Sequence, residues 1–137
     1  MNKSESINEL AGALCIVQGK LQPAPMNATN PFLKNKYADL GSVIKASREL
    51  LAENGLAVSQ LVSNNETNIE VETILTHKSG QWISSRFNLP MGDAKGMSLA
   101  QSAGSVITYM RRYSLAAILG MYADEDNDGN EQKHEPA

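Results

Sequence analysis

Cysteine occurs once and histidine twice in these 137 residues, and that scarcity removes whole classes of chemistry. Cys15 alone cannot form an internal disulfide, and its place beside the apolar side of a helical pattern predicts burial. Thiol catalysis would need His77 or His134 as its base. The first falls in a turn between two strand patterns, the second in the tail. One cysteine and two histidines cannot complete a conventional zinc site without several carboxylates. No run of about 18 apolar residues is present, so no membrane span is expected. The opening Met1-Asn-Lys-Ser-Glu-Ser6 lacks the apolar stretch of a secretory signal, which predicts a protein of the cytoplasm that makes it. There is no Gly-x-x-x-x-Gly-Lys-Ser/Thr loop, no Gly-x-Gly-x-x-Gly behind a strand and no His-Glu-x-x-His. These absences favour a binding protein over an enzyme, with no cofactor.

The charge is uneven along the chain. The formal net charge is −3, but residues 124–137 hold six acids against Lys133 alone, a balance of −5. The remaining 11 basic and 9 acidic side chains leave residues 1–123 at +2. A mildly basic body, read as one domain over 1–123, therefore carries an acidic tail over 124–137, expected to be disordered. Asp124-x-Asp126-x-Asp128-Gly129, with Glu135 beyond, matches the calcium-loop pattern formally. No room remains for a second helix, and Glu131 stands at the usual apolar anchor, so no specific calcium site is expected.

Helical periodicity dominates both ends of the body. Ser6 followed by Glu9 reads as a capping box, and Ile7, Leu10, Leu14, Val17 and Leu21 recur at helical steps over about 6–20. That seam suits the protein's own core first and a neighbouring subunit second. Residues 22–37 carry Pro23, Pro25 and Pro31 and read as a loop. Within it Phe32 and Tyr37 interleave with Lys34 and Lys36, a composition that suits either a single-strand grip or a loop pinned to the core. Asp39 caps the next helix, which runs through Val43, Ser47 and Leu51 to Asn54-Gly55. Its Lys45 and Arg48 mix with Glu49 and Glu53 and read as a solvated face.

From Leu56 the period becomes two. Residues 56–63, 69–76 and 81–89 read as three strands of an antiparallel meander. One face is apolar. The other mixes Glu70, Glu72, Trp82 and Arg86 and reads as a contact surface or a face covered by a helix. Residues 90–97 form a loop, with Asp93 or Ser98 opening a long helix that Gly120 closes. On that helix Leu99, Ala103, Val106, Met110, Tyr113 and Ala117 form an apolar stripe. Gln101, Ser105, Thr108 and Arg112 make a polar one, with Arg111 beside it. The fold expected is α+β: two N-terminal helices, a three-stranded meander and a long helix.

Five stretches carry a family resemblance. The loop Asn30-Pro-Phe-Leu-Lys-Asn-Lys-Tyr37 with Ala38-Asp-Leu40 resembles a signature of the Erf family of phage and prophage recombination proteins. So do Leu51-Ala-Glu-Asn-Gly-Leu56, the segment from Thr73 to Trp82, Gly104-Ser-Val-Ile-Thr-Tyr-Met-Arg-Arg-Tyr-Ser-Leu115 and Glu125-Asp-Asn-Asp-Gly-Asn130. Together they span about residues 28–130.

The resemblance implies the β-β-β-α core of single-strand annealing proteins and ATP-independent annealing of complementary DNA strands. It also implies a homo-oligomer, as a ring or filament, in a bacterial host cell. A phage exonuclease or a host single-strand-binding protein would then be a partner. Under that reading Arg112 and Arg111, with Lys34, Lys36 and Arg86, line a groove for one strand. Tyr37 and Tyr109 pack on sugars or bases, and Thr108 shares the polar stripe. Arg111 and Arg112 lie about 100° apart on a helix, so they cannot both point straight into one groove. Arg112 is the first assignment to DNA, and at least one arginine is expected to pair with Glu70, Glu72 or Asp39. The competing reading is a non-catalytic assembly module using the Lys/aromatic loop and the Trp82 face.

Overall fold

The computed structural model describes residues 1–29, 34, 36–91 and 99–124. In chain order the elements are β1 (Asn2–Lys3), α1 (Asn8–Lys20), β2 (Ala28–Thr29), β3 (Lys36–Tyr37), α2 (Leu40–Glu53), β4 (Leu56–Asn64), β5 (Asn68–His77), β6 (Trp82–Pro90) and α3 (Leu99–Leu119). Over the described residues the fold is mixed α+β, with three helices and antiparallel sheets. The larger sheet has the order β1-β6-β5-β4, and β2 pairs with β3 separately, inside the stretch expected to be a loop. Phe32, Asp93, Ser98 and the tail after Asp124, with its calcium-loop pattern, lie outside the described residues, as does the side chain of Leu99.

Alternation sets the sheet register. Val71 stands opposite Val62 and Phe87, and Thr73 opposite Gln60 and Ser85. Ile69, Val71, Thr73, Leu75 and His77 are all buried on that face. The helices pack there, and among the described residues none of Glu70, Glu72, Leu61, Trp82 and Arg86 on the opposite face belongs to the core that they form. Leu61 is 54% exposed. On this opposite face Arg86 lies 3.8 Å from both Glu70 and Glu72. Those carboxylates therefore pair with Arg86, and not with Arg111 or Arg112.

The helix ends show which local signals act. Asp39 Oδ1 accepts from the Ser42 amide at 2.8 Å, and that hydrogen bond holds the Asp39 carboxyl below its ordinary pKa. The expected capping box at Ser6 does not form. Ser6 Oγ donates instead to Asn8 Oδ1, and Ile7 takes the cap position with no side-chain hydrogen bond. The orphan amide of Leu10 is taken by Gln81 Oε1 at 3.0 Å, from the turn between β5 and β6. A residue about seventy positions away therefore does the work assigned to a local cap.

The core has two parts. Leu10, Val17, Val43, Leu51, Leu56, Leu75, Leu115 and Leu119 join α1, α2, β4, β5 and the end of α3. Burying each of Leu10, Leu75 and Leu119 contributes about 2 kcal/mol. The α1 seam thus packs on the protein's own core. Cys15, expected to be buried, is exposed, because the buried side runs through Leu10, Ala13 and Val17 and leaves it on the far flank.

The second part sets Met110 against Ile69 and Val71, with Ala103, Val106, Ile107, Phe87, Leu89 and Met91 around it. This division corrects the expected stripe on α3. Its first half packs on the sheet, but its second half packs among helices. There the buried side turns to Arg112, Leu115, Ala116 and Leu119, leaving Tyr113 38% exposed and Ala117 exposed.

Candidate nucleic-acid interface

Arg112 is the residue most changed by the fold. Expected on an open polar stripe, it is 9% exposed. Its Nη1 donates to Asp124 Oδ1, and Tyr113 Oη donates to the other oxygen of the same carboxylate. Its guanidinium carbon lies 4.5 Å from the centre of the Tyr37 ring and 4.7 Å from that of Tyr113. Both are cation–π distances.

The backbone explains the convergence. Gly120 adopts φ 74°, a conformation that L side chains rarely take, and turns the chain back after α3. The Met121 amide then reaches Ala116 O at 2.8 Å, and the Ala38 amide reaches Ala123 O at 2.6 Å. Asp124 bridges to Tyr37 in the strand leading into α2. Burial first, then the hydrogen bond to Asp124, pushes the Tyr113 hydroxyl up to about 12.

A row of rings results. Tyr109 lies one helical turn before Tyr113, with the ring centres 4.6 Å apart at 54°. Tyr109 is 45% exposed. The row therefore reads Tyr109, Tyr113, Arg112, Tyr37, drawn from α3 and β3. Lys36 neighbours Tyr37 on β3, and Lys34, at φ 63°, is exposed just before it. Thr108 is exposed on α3. Sequence spacing alone passes over Tyr113, because it falls on the apolar stripe. The Tyr-x-x-x-Tyr step at positions 109 and 113 is the signal that could find it.

Arg111 leaves α3 in another direction. Its Nε donates to Gln60 Oε1 at 3.4 Å, while Gln60 Nε2 donates to Arg111 O at 3.0 Å. It faces a cleft against α2 that Arg48 also lines. Arg86, expected near Arg111 and Arg112, is held instead by Glu70 and Glu72. The structure thus separates the expected residues into three places: the ring row, the Arg111 cleft and the Arg86 carboxylate pair. Among the described residues no group of three or more His, Cys, Asp or Glu could hold a metal ion. Among the same residues no helix is long and apolar enough to cross a membrane.

These elements define a small α+β protein that offers one flank of a long helix, studded with tyrosine and arginine. The chain belongs to the ERF superfamily, whose family model matches residues 10–137. It is 25% identical over 114 residues to the Essential recombination function protein of Salmonella phage P22. That match covers 82% of this chain and 56% of the phage protein, so the chain spans just over half of that relative's length. No solved structure matches it.

Proposed function

We propose that this protein binds single-stranded DNA and promotes ATP-independent annealing of complementary strands in phage-type homologous recombination, acting without catalysis. The observation that carries the reading is the row Tyr109–Tyr113–Arg112–Tyr37. Partly exposed rings 4.6 Å apart supply the stacking that sequence-tolerant single-strand binding uses, while Arg112, buried and paired with Asp124, holds Tyr37 and Tyr113 in place beside them. Lys34 and Lys36 add positive charge in and just before β3, and phosphate contacts of this kind hold a strand without covering its pairing edges. Membership in the ERF superfamily and the recombination function named for the phage P22 relative support the same role. A homo-oligomer, ring or filament, would repeat the row and add many weak contacts into one track. A phage exonuclease or a host single-strand-binding protein would feed or share that strand.

The test mixes two complementary fluorescent strands with the protein, without ATP, and follows duplex formation against salt. Acceleration that fades as salt rises is expected, with Tyr109→Ala weakening strand affinity about tenfold. No acceleration and no binding would sink the reading and favour an interaction module.

A further inference from the structure

Arg48 reads in sequence as part of a solvated face, yet the fold sets it on a cleft with Arg111. The cleft, of roughly 330 Å³, lies between α2, β4 and α3. Its floor is apolar: Ile44, Leu51, Leu56, Val58 and Leu115. The donors of the polar side chains other than the arginines are already engaged. Ser47 Oγ donates to Val43 O at 2.9 Å. Gln60 Nε2 donates to Thr73 Oγ1 at 3.1 Å and to Arg111 O at 3.0 Å. Gln60 also takes the Arg111 Nε and so orients that guanidinium. Among the described residues neither Arg48 nor Arg111 has a carboxylate within the 4.0 Å of an ion pair. Two cations over an apolar floor are complementary to an anion that carries an apolar body.

We propose that this cleft seats one sugar–phosphate unit of a DNA strand, the phosphate on Arg48 and Arg111 and the deoxyribose on the apolar floor. The proposal rests on the single-strand-binding reading and adds a second contact, on the flank of α3 away from the ring row. The volume suits it, since the space is at the small end of ligand sites and holds one unit of a strand, not several. The sugar follows from the floor. A ribose would bring its 2′-hydroxyl over the leucines. There the donors of Ser47 Oγ and Gln60 Nε2 are already spent on Val43 O, Thr73 Oγ1 and Arg111 O, so the hydroxyl regains less than it loses on leaving water. The cleft therefore selects DNA over RNA while the bases stay outside for pairing.

Fluorescence anisotropy of the full-length chain with a labelled DNA oligonucleotide, and with RNA of the same sequence, tests this. Three variants are compared: Arg48→Gln, Ala52→Phe, which fills the cleft without touching a charge, and Lys45→Gln, which removes an equal charge from α2 outside the cleft. Arg48→Gln is expected to weaken DNA binding about fivefold and flatten the salt slope by about 0.7, the share of one single-strand phosphate contact. Ala52→Phe should weaken DNA binding with the slope changed alike, and both variants should narrow the gap between DNA and RNA. Lys45→Gln should leave that gap unchanged. Equal losses for Arg48→Gln and Lys45→Gln would overturn the cleft as a site and leave only a general field. So would wild-type affinity in Arg48→Gln, or equal wild-type affinity for DNA and RNA. If the wild type binds neither nucleic acid, the single-strand reading itself fails. Binding of a polyglutamate peptide in that case, lost in Arg48→Gln, would assign the cleft to a protein partner.

Discussion

Arg112 donates to the carboxylate of Asp124, and this contact folds the chain after α3 back onto α3, while the backbone of Asp124 bridges to Tyr37 in the strand that leads into α2. The arginine side chain is 11% exposed and the aspartate 25%. Removing one member of a buried pair leaves the other charge without compensation, which costs about 3–5 kcal/mol when burial is complete. Asp124→Ala is therefore expected to cost about 2 kcal/mol, discounted for the quarter of the aspartate that water reaches. Chemical denaturation reads this as a lower midpoint at unchanged m. Asp124→Asn, which keeps a hydrogen-bond acceptor, should cost less. A midpoint unmoved by Asp124→Ala would mean that Tyr37 and Tyr113 hold Arg112 without it.

The same carboxylate sets a pH dependence. Tyr113 is pushed up to about 12, by burial first and by Asp124 second. The folded state thus keeps this proton through a range in which the unfolded chain, near pH 10, has lost it. Stability contributed by the protonated hydroxyl is fully present below pH 10 and is lost as pH rises toward 12. The Tyr113 hydroxyl should appear as a late step, toward pH 12, when tyrosinate absorbance is followed in the folded protein. Asp124→Asn should move that late step down only partway, because burial remains. A Tyr113→Phe variant that keeps the late step unchanged would contradict the placement of Tyr113.

Gly120 makes the turn that brings Asp124 back. At φ 74° an alanine is strained, and its Cβ would lie 2.7 Å from Gln18 Nε2. Gly120→Ala is expected to cost about 1–2 kcal/mol from the left-handed backbone alone. The second substitution Gln18→Ala should relieve the collision but not the strain. A double variant as stable as the wild type would show that only the collision mattered.

The parts of the fold legible in the sequence are those decided locally. Alternation from Leu56 to Pro90 marks the three long strands, and Asp39 and Asn54-Gly55 bound α2, because the deciding contacts lie within a few residues. The parts that are not legible depend on what an element packs against. The apolar period on α3 points to Tyr113 and Ala117. The helices beside its second half draw in Arg112 and Ala116, since a helix buried on two sides does not keep one stripe. Ser6 has the right spacing for a cap, but Gln81 reaches the amide from another element. For the candidate site, the sequence places two arginines at different angles correctly. It does not disclose that Asp124 meets Arg112, because that depends on the turn at Gly120, nor that Arg48 meets Arg111 across a cleft.

Arg86 separates structural from functional charge. It stands opposite Glu72 in the β5–β6 register and reaches Glu70 as well, both at 3.8 Å. Its side chain is 56% exposed, so screening by water keeps the pairs weak. Its guanidinium is held by Glu70 and Glu72, not by any member of the ring row. Arg86→Ala is expected to cost about 0.5 kcal/mol, from the lost cross-strand pair and the two carboxylates left side by side. That loss should shrink further in high salt. Strand affinity should stay within about twofold of the wild type, against roughly tenfold for loss of one stacked ring. Denaturation at two salt concentrations and anisotropy with a labelled oligonucleotide measure both effects on one preparation. A tenfold loss of affinity at unchanged stability would move the strand's path onto the Arg86 face of the sheet and take the tyrosine row out of contact with it.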